Sequence, residues 1–166
     1  MTPLQSMRCN TYKMSNSAFS QLDFRKWFDR MQPQTIAIAT WLLYIDGVFS
    51  FLNYLDKSTG DIYGFWRFYG GPMSLVALVF VLAFPAGGFL IANGKKLGWY
   101  VALLAAFSPF ILRLCWKFIG SDIWASQVTL RDIIIGSSLV NFMFEAALPA
   151  LLIHPMSRNY VKNWLR

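Results

Sequence analysis

Histidine and cysteine are almost missing from this chain of 166 residues, which has one histidine, His154, and two cysteines, Cys9 and Cys115. A single histidine excludes a bis-histidine haem within the chain. Two cysteines far apart, in no CxxC pair, leave neither a disulfide framework nor a zinc site. Charged residues are scarce as well, at 14%. There is no GxSxG, no HExxH, no glycine-rich phosphate loop, and no cluster of acids of the kind that holds a metal for headgroup transfer. No nucleophile can be paired with a base, so the chain reads as non-enzymatic, with no cofactor and no metal expected.

What is abundant is apolar surface: 56% of residues are hydrophobic, 17% aromatic, and mean hydropathy is +0.43. The apolar residues gather in four stretches, Thr35–Leu55, Met73–Ala92, Leu97–Ile119 and Leu130–Ile153. A hydrocarbon core of about 30 Å takes about 20 apolar residues of helix to cross, and each stretch reaches that length. The expected fold is therefore an all-α integral membrane protein with four transmembrane helices, at 35–55, 73–92, 97–119 and 130–153. What remains is an amino-terminal segment over 1–34, short loops and a basic tail over 154–166, too little in any one place for a second core. The first apolar run begins too late for a secretory signal and no small-residue cleavage site follows it, so the first span is expected to be retained. Met1, Met7 and Met14 are alternative starts.

Orientation follows from lysine and arginine in the flanking segments. Arg8, Lys13, Arg25, Lys26, Arg30, Lys95, Lys96, Arg158, Lys162 and Arg166 fall on one side, against Lys57, Arg67, Lys117 and Arg131 on the other. Both termini are expected to be cytoplasmic, in a plasma (inner) membrane. The net charge of +7 then suits anionic lipid; with no groove or fold to organise the positives, nucleic acid is not expected as a partner.

Ahead of the first span, Phe24, Trp27, Phe28 and Met31 share one helical face within 20–31, with Asp23, Arg25, Lys26, Asp29 and Arg30 on the other. This predicts an amphipathic interfacial helix, capped by Ser20 and stopped before Pro33. Tyr63, Phe65, Trp66, Phe68 and Tyr69, between Gly60 and the Gly70-Gly71-Pro72 break, predict an aromatic belt along the outer interface. The interfacial anchors are thus Phe24, Trp27, Phe28, Tyr63, Trp66 and Tyr69.

Within the spans, Asp46, Asn53, Arg113, Asn141 and Glu145 are the exceptions, and ionisable groups at depth cost about 2.5–3.5 kcal/mol each, so they call for partners. Asp46, Ser50 and Asn53 share one helical face, as do Ser138, Asn141 and Glu145. From helical rise, Asp46 and Glu145 lie nearly level, at roughly 16 and 12 Å from the cytoplasmic end, with Arg113 higher at about 24 Å. Asp46 is the expected counter-ion of Arg113, Asp132 a second choice and Glu145 a harder one to reach. These residues read as a buried polar seam that fixes helix packing. The same residues permit a proton or ion path in which Asp46 and Glu145 exchange protons, or a contact with a charge in another subunit.

Pro85, Pro109 and Pro149 interrupt three spans, and Gly87, Gly88, Ala92, Ala105, Ala106 and Gly136 offer small surfaces for close helix contact. Spans two and three form a hairpin, and no match between halves signals an inverted repeat. The expected role is a non-catalytic accessory or assembly subunit of a larger membrane complex, with membrane lipids and other membrane subunits as partners. The alternative is a small proton- or ion-coupled carrier or channel using Asp46, Arg113 and Glu145.

Overall fold

The computed structural model describes residues 22–23, 27–28, 32–57, 60–119, 129–136 and 138–165. Every regular element among them is a helix: α1 Gln34–Asp56, α2 Ile62–Tyr69, α3 Pro72–Ala92, α4 Lys96–Ile119, α5 Leu130–Ile135, α6 Leu139–Ile153 and α7 Pro155–Trp164. Helices α1, α3 and α4 are each long and apolar enough to cross a membrane, and a fourth crossing results if α6 and α7, which meet at 48°, count as one bent span.

Helix α3 lies between α1 and α4, α6 packs against α4 and α1, and α2 covers α1 and α3. Three contacts gather the starts of α1 and α4 and the ends of α3 and α6 at one end of the bundle, called here the near end. Gln32 Nε2 donates to the Ile91 carbonyl at 3.2 Å, Trp99 Nε1 to the Leu152 carbonyl at 3.1 Å, and the Ser157 hydroxyl to Thr35 Oγ1 at 3.0 Å. Helices α1 and α4 therefore run parallel, with α6 antiparallel to both.

The interior mixes large side chains such as Leu43, Trp66, Phe84 and Leu112 with many small ones, while other large apolar residues face out. Ala39, Ala77, Ala102, Ala105 and Ala106 are buried; Trp41, Ile45, Val48, Leu52 and Leu55 of α1 and Leu75, Val79 and Leu82 of α3 are exposed. Exposed apolar surface of this extent, over small residues at the helix contacts, suits helices that pack closely among lipid tails. Helices α3 and α4 approach most tightly at Gly87, where a Cβ would fall 2.9 Å from the Ala102 backbone, and at Gly98, where it would fall 2.5 Å from the Ile91 nitrogen.

The expected uninterrupted helix over Leu130–Ile153 does not form. It divides into α5 and α6 around Gly136, whose φ of 67° and ψ of −150° lie in a region open essentially to glycine alone. Thr129 and Asp132 form a capping box that starts α5, and the Ser138 hydroxyl accepts the Val140 N–H to start α6 afresh. Helix α6 by itself covers only about 22 Å.

The amphipathic helix expected over 20–31 differs too. Its described residues, Leu22, Asp23, Trp27 and Phe28, are non-helical, and Phe24 and Met31 lie outside the described residues. Backbone groups of this segment are taken by side chains of the bundle: the Asp23 N–H donates to Asn93 Oδ1 at 2.8 Å, and the Trp27 carbonyl, which a helix would have paired internally, accepts from Tyr44 Oη at 3.0 Å. Trp27 packs on Tyr44 and Phe89, and Phe28 on Trp41 and Tyr44.

Gly98→Ala should drive a methyl into the α3 backbone and lower stability by about 1–3 kcal/mol. Thermal unfolding of the detergent-solubilised protein measures it, and an unchanged melting temperature would mean that α3 and α4 do not meet here.

Candidate functional site

Arg113, late in α4, and Glu145, in the second turn of α6, form a bidentate ion pair, Nη1 to Oε2 at 2.7 Å and Nη2 to Oε1 at 2.6 Å. The expectation that Arg113 would pair with Asp46 or Asp132 is therefore corrected. Helical side chains lean toward the amino terminus of their own helix. In antiparallel α4 and α6, Arg113 leans toward the near end and Glu145 away from it, and an axial offset of roughly 10 Å closes between them. Asp46 sits on α1, parallel to α4, so its lean does nothing to close its offset from Arg113, and the two form no ion pair. Asp132 is committed elsewhere, accepting the Thr129 N–H and hydroxyl, and these bonds hold its carboxyl below the usual range. The guanidinium also rests against Gly136, where a Cβ would come within 2.7 Å of Nη2, so the break in the fourth apolar stretch makes room for the pair.

Beside this pair lies a cavity of about 340 Å³. Helix α1 contributes Asp46, Ser50 and Asn53; α6 contributes Asn141 and Glu145; Asp61 and Tyr63 enter from the start of α2; Phe84, Ala106, Pro109 and Leu148 close the floor. Ile45, Phe49 and Phe144, all exposed, form a mouth between α1 and α6 on the outer flank of the bundle. Four of the five polar residues singled out in the spans thus share one cavity, and Arg113 reaches it through Glu145. Asp46 makes no hydrogen bond or ion pair among the described residues.

Asp61 is the residue that sequence reasoning missed. It caps α2, its carboxylate accepting the Tyr63 N–H at 3.1 Å. An Asp just after Gly60 and ahead of an apolar run was a usable helix-start signal. Burial raises its carboxyl above the usual value, the Tyr63 N–H opposes this, and the negative Glu145 adds to it.

A hydrogen-bond relay explains how α2 is held here. Proline at 109 cannot donate to the Ala105 carbonyl one turn back. The Ser108 hydroxyl donates to that carbonyl at 2.5 Å instead, and the Tyr63 hydroxyl meets Ser108 Oγ at 2.6 Å. Burial pushes the Tyr63 hydroxyl far above the ordinary tyrosine range. Next to it, Phe65, Trp66 and Tyr69 stand edge-on to Trp116 of α4, at 4.5, 5.6 and 5.3 Å between ring centres. Tyr63 and Trp66 are accordingly 2% and 1% exposed, in contrast to Phe68 and Tyr69, which face outward.

Among the described residues, no group of three or more His, Cys, Asp or Glu is placed to hold a metal ion. The chain matches no family model, no curated protein and no solved structure.

Arg113→Met leaves Glu145 mostly buried and unpaired and should cost about 3–5 kcal/mol, whereas Arg113→Met with Glu145→Leu should recover most of that loss. Denaturant unfolding in detergent compares the two; equal losses would contradict a coupled pair. The folded chain holds the Asp61 proton more tightly than the unfolded one. The resulting stabilisation is full below the ordinary value of 3.8 and disappears as pH rises through the raised folded value. Asp61→Asn keeps a capping oxygen and should raise the melting temperature at neutral pH, with the advantage vanishing in acid. A variant less stable at neutral pH would oppose this.

Proposed function

We propose that this chain is an integral membrane protein of the small carrier or channel class, with both termini cytoplasmic, that takes a proton or a small organic ammonium ion in the cavity between α1 and α6. The observation that carries the reading is the Asp46 carboxylate, which lines that cavity and has no counter-ion or hydrogen-bond donor among the described residues. An ionised carboxylate at membrane depth is costly unless it is neutralised, and a proton or a bound cation neutralises it. Arg113 supports a division of roles by satisfying Glu145, so that Asp46 is left to exchange. The surrounding Phe49, Phe84, Phe144 and Tyr63 rings suit an ammonium group better than a hard metal ion, because ring faces attract organic cations.

A second reading keeps the chain as an accessory subunit of a membrane complex. The lateral mouth favours it: a neighbouring transmembrane helix bearing a lysine or arginine could seat against α1 and α6 and place its cation at Asp46. Packing of that kind suits the exposed apolar face of α1.

Asp46→Asn separates these readings. In proteoliposomes with an entrapped pH-sensitive dye, proton uptake driven by small primary or quaternary ammonium gradients should be lost in the variant, with expression and melting temperature preserved. Flux unchanged by the substitution would end the carrier reading. Loss of a stoichiometric membrane partner on mild-detergent purification of the variant, with no flux in either protein, would establish the accessory one.

A further inference from the structure

A second cavity, of about 500 Å³, opens at the near end between the start of α4 and the whole of α7. Its walls carry Lys96 from α4 and Arg158 and Lys162 from α7, together with Trp99, Tyr100 and Asn159. Arg158 and Lys162, four residues apart, share one face of α7. No carboxylate lines the groove, and none pairs with these three cations among the described residues. Three like charges at close quarters repel one another, and the arrangement is relieved by an anion.

The walls are held in place by bonds that have nothing to do with the acid-lined cavity. Trp99 Nε1 is tied to the Leu152 carbonyl, fixing the α4 wall to the end of α6. The fully buried Ser157 hydroxyl bonds both the Leu151 carbonyl, at 2.7 Å, and Thr35 Oγ1, fixing the first turn of α7 against α6 and α1. His154 Nδ1 accepts the Met156 N–H and starts α7 at the bend. The groove is thus a rigid feature at the point where the apolar helices give way to a polar one.

Two anions fit three cations: a free phosphate and the phosphate of a lipid headgroup. What lies below the groove decides between them. Lys96 begins a stripe on α4 that continues through Tyr100, Leu104, Phe107 and Ile111 at spacings of four, four, three and four, all of them exposed. An acyl chain laid on that stripe runs down the helix from a headgroup held at its top, and a small soluble anion would leave the stripe unused. Trp99 and Tyr100 stand at the boundary, where amphipathic rings settle.

We infer that this groove binds the phosphate headgroup of an anionic phospholipid, held by Lys96, Arg158 and Lys162, with an acyl chain along Tyr100, Leu104, Phe107 and Ile111. The site stands apart from the cavity at Asp46, and its occupancy does not depend on that cavity's role.

The test uses the full-length protein in detergent, with native mass spectrometry of lipid adducts after addition of dioleoyl phosphatidylglycerol, dioleoyl phosphatidylcholine or inorganic phosphate alone. Phosphatidylglycerol should give a discrete adduct that survives where phosphatidylcholine and inorganic phosphate do not. Replacing all three cations, K96Q with R158Q and K162Q, should weaken that adduct by about a hundredfold, roughly a factor of five per cation. The charge-matched control K57Q with R131Q and K117Q, on cations outside the groove, should leave binding as it was, and the charge-keeping exchange K96R with R158K and K162R should retain it. Equal binding of phosphatidylcholine, equal binding of inorganic phosphate, or equal loss in the variant with substitutions outside the groove would each overturn the inference.

Discussion

The ion pair between Arg113 and Glu145 is the constraint around which the second half of this protein is arranged. Two charges placed deep in an apolar bundle are tolerable only when they meet with good geometry, and a bidentate guanidinium–carboxylate contact supplies it. To make that contact, α6 must present Glu145 toward α4, and the chain before α6 must leave room for the guanidinium. Gly136 meets the second condition by lacking a Cβ and by adopting a backbone conformation closed to other residues. The division of the fourth apolar stretch into α5 and α6 is thus a consequence of housing the arginine.

The same pair shapes the cavity. By engaging Glu145, Arg113 leaves Asp46 in the cavity with no partner among the described residues, and Asp61, brought in on the cap of α2, adds a third acid to the same space. Helix α2 reaches this position because its aromatic side chains are more useful inside than outside. Tyr63 ends the relay that compensates for Pro109, and Trp66 packs beneath Trp116. The proline in α4 therefore does more than bend a helix: the carbonyl it frees is the origin of the bonds that draw α2, and Asp61 with it, to the cavity wall.

Much of this was legible in sequence terms. The first three apolar stretches coincide closely with α1, α3 and α4, because twenty or so consecutive apolar residues specify a helix by length and composition alone. Asp46, Asn53, Asn141 and Glu145 stood out as a set, since polar residues inside apolar runs are rare. The pairing did not follow, because depth counted along a helix axis ignores the direction in which side chains lean. Within the aromatic run, Tyr63 and Trp66 turn inward while Phe68 and Tyr69 are exposed, a division that composition does not give, because rings suited to an interface are equally suited to a helix contact. The segment around Trp27 and Phe28 has helical periodicity, but Tyr44 and Asn93 compete for its backbone groups, and periodicity carries no information about such competitors.

The first three apolar helices with their approximate ends, the prolines within the apolar stretches and the short list of polar residues that call for partners all depend on neighbours along the chain, and so could be read from its residues alone. That Arg113 meets Glu145, that Asp61 joins Asp46, and that Lys96 stands beside Arg158 and Lys162 became visible with the folded arrangement. Each of these is a meeting of residues on different helices, settled by helix direction, by the lean of side chains and by where glycine lets two backbones approach.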